Sequence, residues 1–252
     1  LAITALCRAR RRQLVAPMIE YLRSQQFTEQ NGWQRDDAPY GAWGMGGKRH
    51  MAPHPGHVDL SMTRYVLEAL AAGGVPPGDP ALQKARVFLE RCGGADGGFF
   101  FTTVVLDANK AGREGDGYRS YGTTTADGIL ALLATGASPE DERVRAAGRW
   151  LREHHRTDVV PGFVGEGRQR WARGLWFYYA AASTGAFRRL GIVPRERFSG
   201  ALEATQHPDG SWANEENLVK EDDPLIATGF ALRALAPDSY HRGAIGRRRA
   251  TR

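Results

Sequence analysis

The chain has 252 residues, of which 42% are hydrophobic, and a net charge of +6 carried almost entirely by arginine. That is enough apolar material for one large core, and no apolar run reaches the roughly 18 residues that a membrane helix needs. The arginines are spread over every segment without a compact basic and aromatic cluster, which argues against a nucleic-acid partner; contact with an anionic membrane surface stays open. No secretory leader is visible, since the basic residues of LAITALCRARRR follow the apolar ones. The chain opens on Leu1 within a helical pattern, so a further N-terminal segment is expected.

In chain order, two kinds of helix alternate. LAITALCRAR from Leu1 is rich in small residues with an apolar stripe, and LVAPMIEYLRSQQ from Leu14 is amphipathic. A turn at Asn31-Gly32-Trp33 leads into a polar loop that holds Asp36-Asp37, His50, His54 and His57. Proline and glycine break that loop, so the histidine spacing carries no helical meaning and no metal site is expected. DLSMTRYVLEALAAGG from Asp59 is again of the first kind, and LQKARVFLERCGG from Leu82 of the second. Asp96-Gly97-Gly98-Phe99 then opens a β-branched and aromatic stretch, which predicts a small extended excursion near 97–118. YGTTTADGILALLATG from Tyr121, VRAAGRWLREHH from Val144, GLWFYYAAASTGAF from Gly174, FSGALEATQHPDG from Phe198 and DPLIATGFALRALA from Asp223 continue the alternation. Residues 239–252, ending GRRRATR, are expected to be a disordered basic tail to a domain spanning 1–238.

A hairpin of one apolar and one amphipathic helix cannot bury its faces alone, but a stack of such hairpins can. The apolar helices would form an inner wall, near residues 59–73, 121–136, 170–188 and 224–236, and the amphipathic ones an outer layer. The fold class is therefore all-α, an α/α toroid of helical hairpins that is incomplete or open. Glycine turns followed by an aromatic recur in phase, so Trp33, Phe99, Phe163 and Trp212 are expected at equivalent places between hairpins. The two cysteines, Cys7 and Cys92, form no disulfide framework or zinc set and are expected to be buried thiols.

The runs Ser24-Gln25-Gln26 to Asn31-Gly32-Trp33, and Gln206 to Asp209-Gly210-Ser211-Trp212, resemble the glutamine-tryptophan repeats of squalene and hopene cyclases. With Asp59-Leu60-Ser61, Arg119-Ser120-Tyr121-Gly122 and the segment Glu221 to Pro224, the chain from about Leu1 to Leu235 is similar to bacterial prenyltransferase/squalene-oxidase repeat proteins. That resemblance implies a toroid of the terpenoid-cyclase and protein-prenyltransferase superfamily, with an isoprenoid or other apolar ligand in its lumen. Two departures stand out. There is no Asp-x-Asp-Asp motif to protonate an alkene, and neither cysteine follows an aspartate by two residues, as the zinc-holding pair of the prenyltransferases does. Neither of those reactions is expected, and no cofactor or metal is implied.

A toroid cavity is lined by inner helices and rimmed by their ends, which directs attention to Asp59, Asp127, Glu221 and Asp223 as candidate catalytic acids. Asp59 and Asp223 equally suit helix N-caps. Crowding of Glu221 with Asp222 and Asp223 would raise a pKa by repulsion. Asp127 lies inside an apolar helix, where an acid needs a cavity, a partner or solvent. Tyr121, Trp171, Trp176, Tyr178 and Tyr179 are the candidate ligand-binding residues, since aromatic faces stabilise cations. At helical spacing Trp171, Tyr178 and Tyr179 are expected to share a face and Trp176 to point elsewhere; tight packing between hairpins is the competing role. Three functions remain open: a terpenoid-cyclase-like ligand binder or enzyme, a non-catalytic toroid that binds lipid or protein, and a carbohydrate-active α/α barrel built on two carboxylates.

Overall fold

The computed structural model describes residues 2–8 and 11–236. Its inner-type helices are α1 (Ala2–Arg8), α3 (Leu60–Ala72), α5 (Gly122–Ala134), α7 with α8 (Gln169–Gly174 and Trp176–Leu190) and α10 (Pro224–Leu235). The outer-type helices are α2 (Val15–Ser24), α4 (Pro80–Arg91), α6 (Glu142–Glu153) and α9 (Phe198–Thr205). Four helices begin where an aspartate side chain accepts a first-turn N–H: Asp59 from Met62, Asp79 from Ala81, Asp141 from Arg143 and Asp223 from Leu225, at 2.8 to 3.0 Å. Each satisfies a donor that the helix cannot satisfy itself and complements the helix dipole.

The inner-type helices α3, α5, α8 and α10 lie side by side in chain order, with α1 against α3. On the outer side α4 touches α3 and α5, α6 touches α5 and α8, and α9 touches α10. One continuous apolar core runs between these rows, and α5 is buried at every residue from Gly122 to Leu132. Gly128 shows why α5 tolerates a glycine: a Cβ there would lie 2.5 Å from the ring of Phe99, so the missing side chain is the seat of that ring.

A repeated latch joins three of the turns to the inner helix that follows. The Oγ1 of Thr63, Thr125 and Thr228 accepts the backbone N–H of Trp43, Phe99 and Trp212, at 3.2, 3.1 and 3.0 Å. The indole N–H of Trp43 and of Trp212 also donates to a carbonyl of the preceding outer helix, Leu22 at 2.7 Å and Leu202 at 2.8 Å. All four aromatics expected between hairpins are buried, but Trp43, not Trp33, holds the place equivalent to Trp212. The long loop after α2 carries Trp33 instead onto Phe27, with ring centroids 5.5 Å apart. Replacing Thr125 by valine keeps the shape and removes the acceptor, leaving the N–H of the fully buried Phe99 unpaired. The expected cost is about 1–3 kcal/mol, read as a lower denaturation midpoint with an unchanged slope.

The excursion near 97–118 contains a short antiparallel pair, β1 (Arg113–Glu114) with β2 (Gly117–Tyr118). The expected single helix over 170–188 is interrupted at Leu175 (φ −109°, ψ 15°), which separates α7 from α8. Cys92 is fully buried and Cys7 half-buried. The expected tail, 239–252, and the last residues of the expected domain lie outside the described residues. Among the described residues no helix is long and apolar enough to cross a membrane.

Candidate functional site

The polar residues that interrupt three inner helices meet one another. Asp127 sits one and a half turns into α5 and is 0% exposed, so the solvent-facing alternative for it is excluded. The Ser61 hydroxyl of α3 donates to its Oδ2 at 2.6 Å, and the Tyr178 hydroxyl of α8 donates to the same oxygen at 2.9 Å. Arg64, one turn beyond Ser61 on α3, places its Nε 3.9 Å from Asp127 Oδ1 and 3.2 Å from Glu68 Oε2. Glu68 in turn pairs with Arg189 of α8 at 3.3 Å.

The electrostatics follow from this burial. Loss of hydration pushes the Asp127 carboxyl up to about 6, although Arg64, Ser61 and Tyr178 all favour its charged form. Burial works against the Arg64 charge as well, but the Glu68 and Asp127 carboxylates outweigh it and the guanidinium stays ionised. Its Nε and Nη1 have no hydrogen-bond partner, and its Cζ lies 4.4 Å from the Tyr65 ring centroid. The Tyr178 phenol is raised well above its ordinary value by burial and by the neighbouring Asp127, so it serves as a neutral hydrogen-bond donor.

Beside this cluster runs a half-buried aromatic shelf. Tyr65 lies 6.2 Å from Tyr178, and Tyr178 lies 5.1 Å from Phe230 of α10, between ring centroids. Arg233 borders the shelf, 5.8 Å over Tyr65. Tyr65 also lines an apolar cavity of about 430 Å³ between α1, α2 and α3, together with Ile3, Met18, Tyr21, Leu22 and Val66 among others.

Of the nine candidates drawn from the sequence, this arrangement brings together Asp127 and Tyr178. Asp59 caps α3 and sets its other oxygen 3.1 Å from His57 Nε2. Asp223 is an exposed cap of α10. Glu221 is 0% exposed and accepts the N–H groups of Phe177 and Tyr178 at 2.9 and 2.8 Å. Its carboxyl is pushed up to about 7 by burial, not by repulsion from Asp222 and Asp223 as the sequence suggested. Tyr121 is buried with its ring 4.9 Å from Phe163. Trp171 lies beneath the Lys110 ammonium at 5.3 Å, outside the aromatic shelf.

The expected sharing of a face is also corrected. Trp176 and Tyr179 both pack on Phe198, at 6.1 and 5.5 Å, whereas Tyr178 turns the opposite way, to Asp127. Adjacent helical residues diverge by about 100°, and here that angle sends Tyr178 to α5 and Tyr179 to α9. Ser61 and Arg64 were not among the candidates. The rule that singled out Asp127, a polar residue on an apolar inner helix, applies equally to Arg64 and would have found it.

No protein-family model matches the chain, and no curated protein matches it.

Proposed function

We propose that the chain is a terpenoid-cyclase-like repeat protein, an open α/α toroid whose inner face holds an apolar, isoprenoid-like ligand and in which Asp127 transfers a proton to or from it. The observation that carries this reading is the buried Asp127, held by Ser61 and Tyr178 next to the shelf of Tyr65, Tyr178 and Phe230. The side-by-side inner helices and the apolar cavity at Tyr65 support it: the cavity is of the size that binds small ligands. The ring faces suit an electron-poor carbon skeleton.

A carboxyl near 6 is poised for general acid–base work around neutral pH. It is too weak an acid to protonate an unactivated alkene efficiently. The reaction class that fits is therefore proton transfer to the oxygen of an allylic alcohol or diphosphate as its C–O bond breaks and the electron pair leaves on oxygen, the carboxylate then taking a proton from the carbon next to the allylic cation, rather than protonation-initiated cyclisation of squalene. Arg64 stabilises the carboxylate once the proton has left, and Tyr178 and Ser61 fix its orientation.

A second reading, a non-catalytic ligand-binding toroid, is favoured by the complete enclosure of Asp127. One experiment separates the two. The protein is incubated with squalene, with prenyl alcohols and with allylic diphosphates, and both ligand-induced thermal shift and turnover are measured for wild type and Asp127→Asn. Turnover of an activated prenyl substrate that falls at least 100-fold in the variant while binding persists is the expected result. Binding without turnover in either protein establishes the second reading, and absence of binding to every probe overturns both.

A further inference from the structure

The interruption between α7 and α8 has a visible cause. An unbroken helix would bond the Phe177 N–H to the Arg173 carbonyl and the Tyr178 N–H to that of Gly174. Instead the Glu221 carboxylate, carried on the loop before α10, accepts both N–H groups, Phe177 at 2.9 Å and Tyr178 at 2.8 Å. The side-chain amide of Asn214 takes the released Arg173 carbonyl at 2.8 Å and donates also to Glu221 Oε2 at 3.1 Å. The loop is closed on itself by the Asn214 N–H, which donates to the Glu221 carbonyl at 2.8 Å. A side chain inserted into the helical ladder is a recognised origin of a break, and here the displaced donors and an abandoned carbonyl all find partners.

The consequence reaches the site through a single residue. Tyr178 is bonded at its backbone by Glu221 and at its hydroxyl to Asp127, at 2.9 Å. The cap residue of α8, Leu175, supplies no side-chain bond of its own, unlike the aspartates that cap α3, α4, α6 and α10. The start of α8, and with it the rotation that aims residue 178 toward α5 and residue 179 toward α9, is therefore set from outside the helix.

We infer that Glu221 is a positioning residue: by splitting α7 from α8 and capping α8, it holds the Tyr178 hydroxyl on Asp127. The inference deepens the reading of Asp127 as the working acid and rests on it. Glu221 meets the site only at the Tyr178 backbone, not at Asp127. It acts on the site only through the position of Tyr178, and Asn214 is its accessory.

The test is a double-mutant cycle read at Asp127. With carbon-13-labelled aspartate, the Asp127 carboxyl is titrated by NMR in wild type, Glu221→Gln, Tyr178→Phe and the double variant. In wild type the two N–H groups go to different oxygens and Asn214 donates to the one that Phe177 uses; an amide at 221 puts an NH2 donor in place of one of these oxygens, and with its oxygen kept by Phe177 and Asn214 the NH2 faces the Tyr178 N–H. Loss of the Tyr178 hydrogen bond removes stabilisation of the carboxylate, so Glu221→Gln should move the Asp127 titration upward by about one pH unit. Tyr178→Phe should move it similarly, and the double variant should match Tyr178→Phe alone. An unchanged Asp127 titration in Glu221→Gln overturns the inference, and so do two shifts that add in the double variant. If Glu221→Gln does not fold, Asn214→Ala weakens the same clasp and should give a smaller upward shift, with no shift again overturning it. The measurements use protein without ligand, so failure of the ligand-binding reading would leave these shifts intact.

Discussion

Trp43→Ala is expected to lower stability by about 3–5 kcal/mol, a fall of roughly 6–20 °C in melting temperature for a chain of this size. Trp43 is 1% exposed, in the same core cluster as Leu60, Leu67 and Phe88. Truncation would open a cavity beside α2 and α3, whose Leu22 and Thr63 it bonds, and large core side chains are costly to remove because the surroundings collapse only in part. It would also strip the Leu22 carbonyl of the indole N–H at 2.7 Å. Trp212→Ala should cost somewhat less, since Trp212 is 4% exposed and is flanked by the shorter α9. A thermal melt of each variant checks both. An unchanged melting temperature in Trp43→Ala would show that the residue only decorates a loop.

Between pH 8 and pH 5 the protein should become more stable, by an amount dominated by two buried acids. The folded-state pKa of Glu221 is raised from 4.5 to about 7 and that of Asp127 from 3.8 to about 6. A carboxyl with a raised folded pKa binds its proton more tightly when folded. Its contribution is fully present below the unfolded pKa and is lost as pH rises through the folded one. Integrated over this window, Glu221 accounts for about 2–3 kcal/mol and Asp127 for about 1–2 kcal/mol. His57, raised by Asp59, acts in the same direction, and His155, lowered by burial, acts against it. Below about pH 4.5 the trend reverses, because Glu29 and Asp79 have lowered pKa values and lose their ion pairs as they protonate. Denaturation midpoints at half-unit pH steps give the curve. Glu221→Gln should remove more than half of the rise between pH 8 and pH 5. A slope that survives both this change and Asp127→Asn would mean that neither acid is buried in the folded protein.

Periodicity carried most of the fold. The inner helices near 59–73, 121–136 and 224–236 stand within about two residues of their expected bounds, because caps such as Asp59 and Asp223 and glycine turns mark them locally. The break at Leu175 left no local sign, since its cause, Glu221, lies 46 residues later in the chain. Trp33 and Trp43 are hard to tell apart for a similar reason: both follow α2 and a glycine, and the bonds of Trp43 to Thr63 and to the Leu22 carbonyl that distinguish it are tertiary. At the site, Asp127 was legible because one acid in an apolar helix is conspicuous. Arg64 carries the same mark, a charge on an apolar inner helix, although an arginine four residues before Glu68 also has an ordinary local role; Ser61 does not, because a serine two residues after a cap is unremarkable.

The threonine latches bear on how the fold comes apart. Each one ties a turn to the inner helix that follows it, so none of these three boundaries can open without freeing an N–H that belongs to the neighbouring interface. The amide protons of Trp43, Phe99 and Trp212 thus report on whole boundaries rather than on single turns. In a stack of repeats, where stability is a sum of unit and nearest-neighbour terms, their hydrogen-exchange rates rank the boundaries by strength. The Phe99 boundary, joined to the wholly buried face of α5, would be the last to exchange.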